Sequence, residues 1–382
     1  MFISIIILLF GSFSVLTTMF IRLFMAFRDY RITRRYTAAL NAPSVSVCIP
    51  ARNEMHALIE CLERLVVSTY PKLEIIVIDD ESQDDTSVII KSFAHEGVRF
   101  VAGGPLPKDW LGKNYALDVL SREASGTYII FMDVDTFTVP TTISELVGFA
   151  MTENVDMVSI IPRRNDTYRT SVFFGTLRYF WQLVGWKQQP AVSGALWMIK
   201  RTTLLDNFNG IKPFKMTVDP EVNIAAALGE KYKCLVGNDE LGVSYEKKWR
   251  SQIETNRRLL YPFFGATPWS GIKGCLLLIS MNLPTFIVLT GVFGWATIHT
   301  IAAGVVVAWI IVYGYYLSHV WRTRWWLGAL LWPVVALQEF YILLSSIWGY
   351  ARGTITWKGR PVAEVSSYEY IKNKVNKSRQ LN

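Results

Sequence analysis

Two aspartates, Asp133 and Asp135, stand two residues apart at the end of the apolar run "YIIFM". On a strand, residues i and i+2 face the same side, so both carboxylates leave the strand end in one direction. Like charges this close oppose joint ionisation. A divalent cation removes the conflict, because hard ions such as Mg²⁺ take oxygen ligands and bridge one or two carboxylates to substrate phosphates. A solvated surface turn is the plain alternative for a lone D-x-D, and the elements around it decide between the two.

Those elements alternate. "VSVCIPA" and "LEIIVIDD" have the composition of short buried strands, and "ALIECLERLVVS" between them has helical periodicity. "DDTSVIIKSFAHEG" suits a helix entered through Asp84 or Asp85 and closed by Gly97. "VRFVAGG" is a third strand, "NYALDVLSREASG" another helix and "TYIIFMD" the next strand. Such alternation argues for a mostly parallel α/β sheet, in which ligands bind at the carboxyl ends of the strands. Asp79, Asp80, Asp133 and Asp135 all fall at such ends, which favours a functional D-x-D over a surface turn. No glycine-rich phosphate loop is present, so a phosphate-bearing ligand would need metal and basic side chains. His56, His95, His299 and His319 are dispersed and form no metal spacing.

The 382 residues are 51% hydrophobic and 14% aromatic, with the apolar excess at the two ends. Residues 1–27 are long enough to cross a bilayer. They lack a basic start and a cleavage site, and Arg28, Arg31, Arg34 and Arg35 follow, so a retained anchor with a cytosolic chain after it is expected. A basic linker is assigned to 28–43, one catalytic domain to 44–265, a membrane region to 266–350 and a basic cytosolic tail to 351–382. The membrane region holds three apolar blocks, near 272–295, 298–320 and 325–348. Asn282 and Pro284 should interrupt the first, and Pro333 the third. Three crossings would put the tail outside, whereas Arg352, Lys358, Arg360, Lys372, Lys374, Lys377 and Arg379 favour the cytosol. One block, the broken first, is therefore expected to be re-entrant or interfacial. The net charge of +8 suits an anionic membrane surface, and the anchors argue against nucleic acid as the partner. Cys48, Cys61, Cys234 and Cys275 are scattered and expected to be free thiols.

Six stretches, in order, resemble the membrane-integral family-2 glycosyltransferases of GT-A fold: "CIPARNE", "VIDDESQDDT", "LPKDWLGKNYAL", "FMDVDTF", "SGALWMIKRTTL" and "TITWKGRPV". Carotenoid- and hopanoid-associated glycosyltransferases of bacteria and ceramide glucosyltransferases are the relatives they suggest. The resemblance implies a GT-A α/β domain flanked by transmembrane helices, in a multi-pass protein of the cell membrane with a cytosolic catalytic domain. It implies inverting transfer of one hexose, glucose, from a UDP-sugar to a membrane lipid such as an isoprenoid, sphingolipid or glycerolipid. Mn²⁺ or Mg²⁺ would sit on Asp133 and Asp135, with Asp133 also beside the donor. Asp79 and Asp80 would meet the uracil or ribose, with Pro50, Arg52 and Glu54 nearby, and Lys113 and Asn114 would close over the nucleotide.

Two departures bear on the chemistry. The catalytic base of the family maps to "PEVNIA", where Glu221 stands in place of aspartate and Asp219 lies just upstream. Either is a candidate, and the longer reach of glutamate favours Glu221. The Q-x-x-R-W signature is eroded to "SQIETNRRLL", which leans toward single-sugar transfer. Arg257 or Arg258 would contact the diphosphate, or bind lipid headgroups instead. Trp357, Lys358 and Arg360 are left open between interfacial anchors and site residues. The rival readings are a polyisoprenyl-phosphate glycosyltransferase and a membrane scaffold with an inactive domain.

Overall fold

The computed structural model describes residues 2–30, 42–165, 175–185, 189–291 and 296–362. Arg31, Arg34, Arg35, Lys372, Lys374, Lys377 and Arg379 lie outside them. In chain order the elements are α1 (Phe2–Tyr30), β1 (Val45–Ala51), α2 (Leu58–Val66), β2 (Leu73–Asp79), α3 (Thr86–Ser92), β3 (Val98–Ala102), α4 (Gly112–Glu123), β4 (Tyr128–Met132), β5 (Thr136–Phe137), α5 (Thr142–Thr152), β6 (Met157–Ile161) and β7 (Arg163–Arg164). Then follow α6 (Arg178–Val184), β8 (Leu196–Lys200), α7 (Pro220–Leu228), β9 (Tyr232–Val236), β10 (Ser244–Tyr245), α8 (Trp249–Phe264), α9 (Pro268–Thr290), α10 (Ala296–Val320), α11 (Trp325–Leu330), α12 (Trp332–Ala351), β11 (Thr356–Trp357) and β12 (Arg360–Pro361). They fall into two compact units. One comprises Tyr30–Arg163, Gln189–Glu246 and Thr356–Asn382, the other Met1–Asp29, Arg164–Gln188 and Lys247–Ile355.

The first unit is built on a sheet in the order β3-β2-β1-β4-β8-β6-β9. β1, β2, β3 and β4 run parallel, and their near-continuous apolar runs are what strands covered on both faces require. Val47, Ile49, Val77 and Ile130 form the centre of its core with Leu58 and Leu62 of α2. β8 alone runs against its neighbours, pairing Leu196 with Met132. The chain entering β8 is thereby brought to the carboxyl end of β4, where the D-x-D lies.

In the second unit α1, α9, α10 and α12 are long and apolar enough to cross a membrane. Even the shortest, of 20 residues, is about 30 Å long at 1.5 Å per residue. Leu289, Ile311 and Tyr341 lie exposed on these helices. α1 runs parallel to α10: Ile5 and Leu9 cluster with Ile298 and Ala302, and Phe27 stacks on His319 at 4.1 Å. α12 runs antiparallel to α9, since Ala336 O accepts from Asn282 Nδ2 at 3.2 Å while Ile347 lies against Gly271. α11 turns back along α10, with Gly328 against Trp321 and Trp332 stacked on Trp309 at 4.7 Å.

The first apolar block is not broken. Asn282 sits inside α9 and donates to Leu278 O at 2.8 Å as well as to Ala336, so its amide is satisfied without leaving the helix. Pro284 is buried within the same helix. The third block is interrupted beside the expected Pro333, between α11 and α12, and Pro333 occupies a helix start, where it loses no intrahelical bond.

Glu339 of α12 is fully buried. Trp181 Nε1 donates to it at 2.8 Å, Leu177 N at 3.3 Å and Asn256 Nδ2 at 3.3 Å. One carboxylate thus ties α12 to α8 and to the start of α6. Glu339→Ala would orphan these buried donors, at about 1–3 kcal/mol each, and should lower the melting temperature of the detergent-solubilised protein by several degrees. Glu339→Gln keeps an acceptor oxygen and should cost clearly less. Equal melting of the alanine variant and the parent would remove this tie from the account.

Candidate functional site

β4 ends at Met132, and the Asp133 N–H donates to Ala195 O at 2.9 Å. Beyond β4 the residues Asp133–Thr136 form a turn closed by Thr136 N on Asp133 O at 3.0 Å, with Val134 buried and Asp133 and Asp135 half-buried. Lys113 Nζ, from the first turn of α4, holds Asp133 Oδ1 at 2.5 Å. The Cys61 thiol is pushed up by burial first, and then by the charges of Asp135, Glu54 and Asp133. Among the described residues no set of three or more His, Cys, Asp and Glu side chains forms a standing metal cage. Two carboxylates this close in the chain still fit Mg²⁺ or Mn²⁺, since such ions bind through one or two carboxylates together with substrate phosphates.

The loops after β1 and β2 are stitched together. Asn53 N donates to Ser82 Oγ at 2.9 Å, Gln83 N to Asn53 Oδ1 at 2.8 Å and Glu54 N to Thr86 Oγ1 at 2.9 Å. Asn53 (φ 52°) and Glu81 (φ 56°) take left-handed backbone, a strain that the cross-bonds sustain. Pro50 is half-buried at the end of β1, and Asp79 Oδ1 accepts from Ser82 N at 3.1 Å. Arg52 donates to the carbonyls of Asp80 and Glu81.

Residues that the sequence left open arrive here. Lys358 (φ 48°) and Gly359 (φ 79°) form a two-residue turn between β11 and β12, with the positive φ at both centres that a tight hairpin needs. That hairpin puts Arg360 Nη1 2.8 Å from Asp80 Oδ2, Arg360 Nη2 2.5 Å from Glu81 Oε2, and Lys358 Nζ 2.7 Å from Glu54 Oε1. Gly112 makes the approach possible, because a Cβ there would stand 2.6 Å from Arg360 Nη1. Burial raises the Asp80 carboxyl above its ordinary value, while Arg360 and then Arg52 act in the opposite direction. The Lys-Gly pair was the legible signal for the hairpin; its destination was not.

α4 also governs the segment before α7. Asn114 is buried, and its amide donates to Thr217 O at 2.7 Å, Phe214 O at 3.0 Å and Lys215 O at 3.2 Å. The amide nitrogen of Asn114 is thus engaged by the loop before α7. Asp118 Oδ1 accepts from Ile211 N at 2.8 Å and secures the same loop one turn later. The loop leads to Asp219, the half-buried N-cap of α7, and to Glu221, buried in its first turn. The Glu221 carboxylate lies against Gly194, so closely that no Cβ would fit there. Gly194 adjoins Ala195, the partner of Asp133, so one short segment touches both the D-x-D and Glu221. Arg257 and Arg258 are on α8 in the other unit, where Arg257 Nε donates to Ser345 O at 3.3 Å and the Arg258 carbonyl accepts from Tyr350 Oη at 2.7 Å.

Residues 46–203 match the family described as glycosyl transferase family 2. The probable glycosyltransferase YdaM of Bacillus subtilis is 38% identical over 97 residues, 24% of this chain and 23% of that one. A UDP-Glc:alpha-D-GlcNAc-diphosphoundecaprenol beta-1,3-glucosyltransferase of Escherichia coli is 33% identical over 111 residues, 29% of this chain and 43% of that one. A 4,4'-diaponeurosporenoate glycosyltransferase of Staphylococcus haemolyticus is 35% identical over 94 residues, 24% of each chain. The matches thus span under half the length of these relatives. A mannosyltransferase of Pyrobaculum calidifontis, solved with GDP-Man and Mn²⁺, shares the fold with TM-score 0.54 and 18% identity, over 90% of this chain and 97% of that one.

Asn114→Ala should loosen the loop before α7 without touching the D-x-D. Loss of its bonds to buried carbonyls is expected to cost on the order of 1–3 kcal/mol, seen as a lower melting temperature and as faster proteolysis between residues 208 and 219. Unchanged melting and cleavage would show that the loop holds its place without this amide.

Proposed function

From a chain that carries a family-2 glycosyltransferase domain of GT-A fold, we propose inverting transfer of one glucose from UDP-glucose to a membrane lipid. The observation that carries this reading is the gathering of three acidic groups at one sheet edge: Asp79 and Asp80 after β2, the D-x-D after β4, and Glu221 beside the segment entering β8. Asp79 and Asp80 accept hydrogen bonds from the nucleoside, beside Pro50, Arg52 and Glu54. Asp133 and Asp135 hold Mg²⁺ or Mn²⁺, which when bound supplies Lewis-acid stabilisation of the departing diphosphate. Lys113 adds a fixed positive charge next to Asp133. Preorganised charge of this kind is usually the largest catalytic contribution.

Glu221 takes the proton of the acceptor hydroxyl as general base. Its place in the first turn of α7 favours the ionised form through the helix dipole, and its seat on Gly194 gives the carboxylate a fixed aim. Asp219, at the N-cap, orients the acceptor. The lipid acceptor is supported by four long apolar helices with exposed apolar faces. The names of two relatives, which include a diphosphoundecaprenol and a carotenoid acid, point the same way.

The membrane arrangement follows from contacts within each unit. The hairpin Thr356–Pro361 belongs to the sheet unit, so it shares that unit's side of the membrane. On this reading the chain crosses an even number of times between Glu246 and Thr356, where it leaves and rejoins the sheet unit. α9 and α10 cross, and α11 with α12 forms a re-entrant pair that starts and ends on the cytosolic side. In a protein stripped of its native cysteines, a membrane-impermeant maleimide should label Gly291→Cys from outside only, and Thr323→Cys and Gly353→Cys from the cytosol only. Labelling of Gly353→Cys from outside would contradict this topology.

The activity is tested by incubating the purified protein with UDP-glucose, Mn²⁺ and extracted membrane lipid, and analysing the lipid by mass spectrometry. A lipid gaining one hexose is expected, with none from Asp135→Ala or in the presence of EDTA. Glu221→Gln should lower turnover by about 100-fold or more, as loss of a general base does, and Asp219→Asn clearly less. The reverse ranking would move the base to Asp219. An unimpaired Glu221→Gln enzyme would instead indicate a phosphate acceptor, which needs no base.

A further inference from the structure

The C-terminal hairpin brings cations to acids more than 270 residues away in sequence, and its bonding to Asp80 is one-sided. Arg360 Nη1 donates to Oδ2 at 2.8 Å. Among the described residues no donor reaches Oδ1, and that oxygen is not sealed away from solvent. The guanidinium is itself mostly buried, anchored on its other side by Glu81 Oε2, and passes over Gly112, where no side chain obstructs it. Arg52 fixes the same loop through the Asp80 and Glu81 carbonyls and donates to Lys358 O at 3.4 Å. A buried carboxylate clamped at one oxygen, with no donor on the other, is a directed acceptor for a single N–H or O–H.

We propose that the hairpin is part of the nucleoside subsite, with Arg360 as the positioning residue that orients Asp80 and reserves Oδ1 for a donor group of the base or ribose. This rests on the nucleotide-sugar reading above. The groups facing Asp80 are Arg360, Arg52 and Glu81, of which the two arginines favour its ionised form and Glu81 opposes it. Removing Arg360 leaves burial and Glu81 against Arg52 alone, so Asp80 would take up its proton at a higher pH. Only the ionised carboxylate is purely an acceptor.

The test uses the full chain in detergent with Mn²⁺, titrated calorimetrically with UDP, GDP and inorganic pyrophosphate. Arg360→Gln should weaken binding of the preferred nucleoside diphosphate about tenfold or more, the usual scale for a charge-assisted hydrogen bond. Pyrophosphate binding should be unchanged, and Arg360→Lys should recover part of the loss. The pH below which nucleotide binding fails should also rise in Arg360→Gln. A hairpin that merely stabilises the fold would weaken both ligands alike, or neither, and either result overturns the proposal. Failure of the parent protein to bind UDP and GDP overturns the nucleotide-sugar reading itself, and this inference with it. Binding by the parent that is undiminished in Arg360→Gln overturns the hairpin assignment alone.

Discussion

Crowded negative charge at the carboxyl edge of one sheet is the constraint on which the site depends. Glu54, Asp79, Asp80 and Glu81 follow β1 and β2, and Asp133 and Asp135 follow β4. Held together in partly buried surroundings, such groups repel and tend to take up protons. The fold answers with cations drawn from distant parts of the chain: Lys113 on Asp133, Lys358 on Glu54 and Arg360 on Asp80 and Glu81. Each pair is partly screened from water, where the attraction is stronger than on an open surface.

α4 connects the parts of this edge. Within its first turn Gly112 admits Arg360, Lys113 reaches Asp133 and Asn114 binds the loop that leads to Glu221. A shift of that turn would therefore be felt by the nucleoside acids, the D-x-D and the α7 segment together. Gly194 does the equivalent on the opposite strand, where the lack of a side chain lets Glu221 lie against the segment that fixes Asp133. Two glycines and one asparagine thus govern the placement of groups that do the proposed chemistry while carrying none of it.

The helical unit solves a different problem, that of burying polar groups among apolar helices. Glu339 gathers three donors from two segments, and Asn282 divides its amide between its own helix and α12. In both cases hydrogen bonding inside the bundle replaces what water would supply. The reversal between α11 and α12 at Leu331 belongs to the same economy, because the turn is packed on α10 through Trp309, Trp321 and Gly328.

The sequence by itself determined the strand and helix alternation and the mostly parallel sheet. Both follow from local periodicity, which depends on neighbouring residues alone. It also determined the long apolar helices, which are set by length and composition. Tertiary structure decided the rest. Asn114 stands beside Lys113, but adjacent helical positions point about 100° apart, and only the packed loop shows which one faces inward. Whether Arg360 ended at a membrane surface or on Asp80 depended on how the chain, 280 positions further on, returned to its sheet. The broken block was misplaced because Asn282 and Pro284 disrupt a helix only where their polar groups lack partners. Asn282 finds one acceptor in its own helix and another on α12, a segment distant in sequence that no local pattern announces.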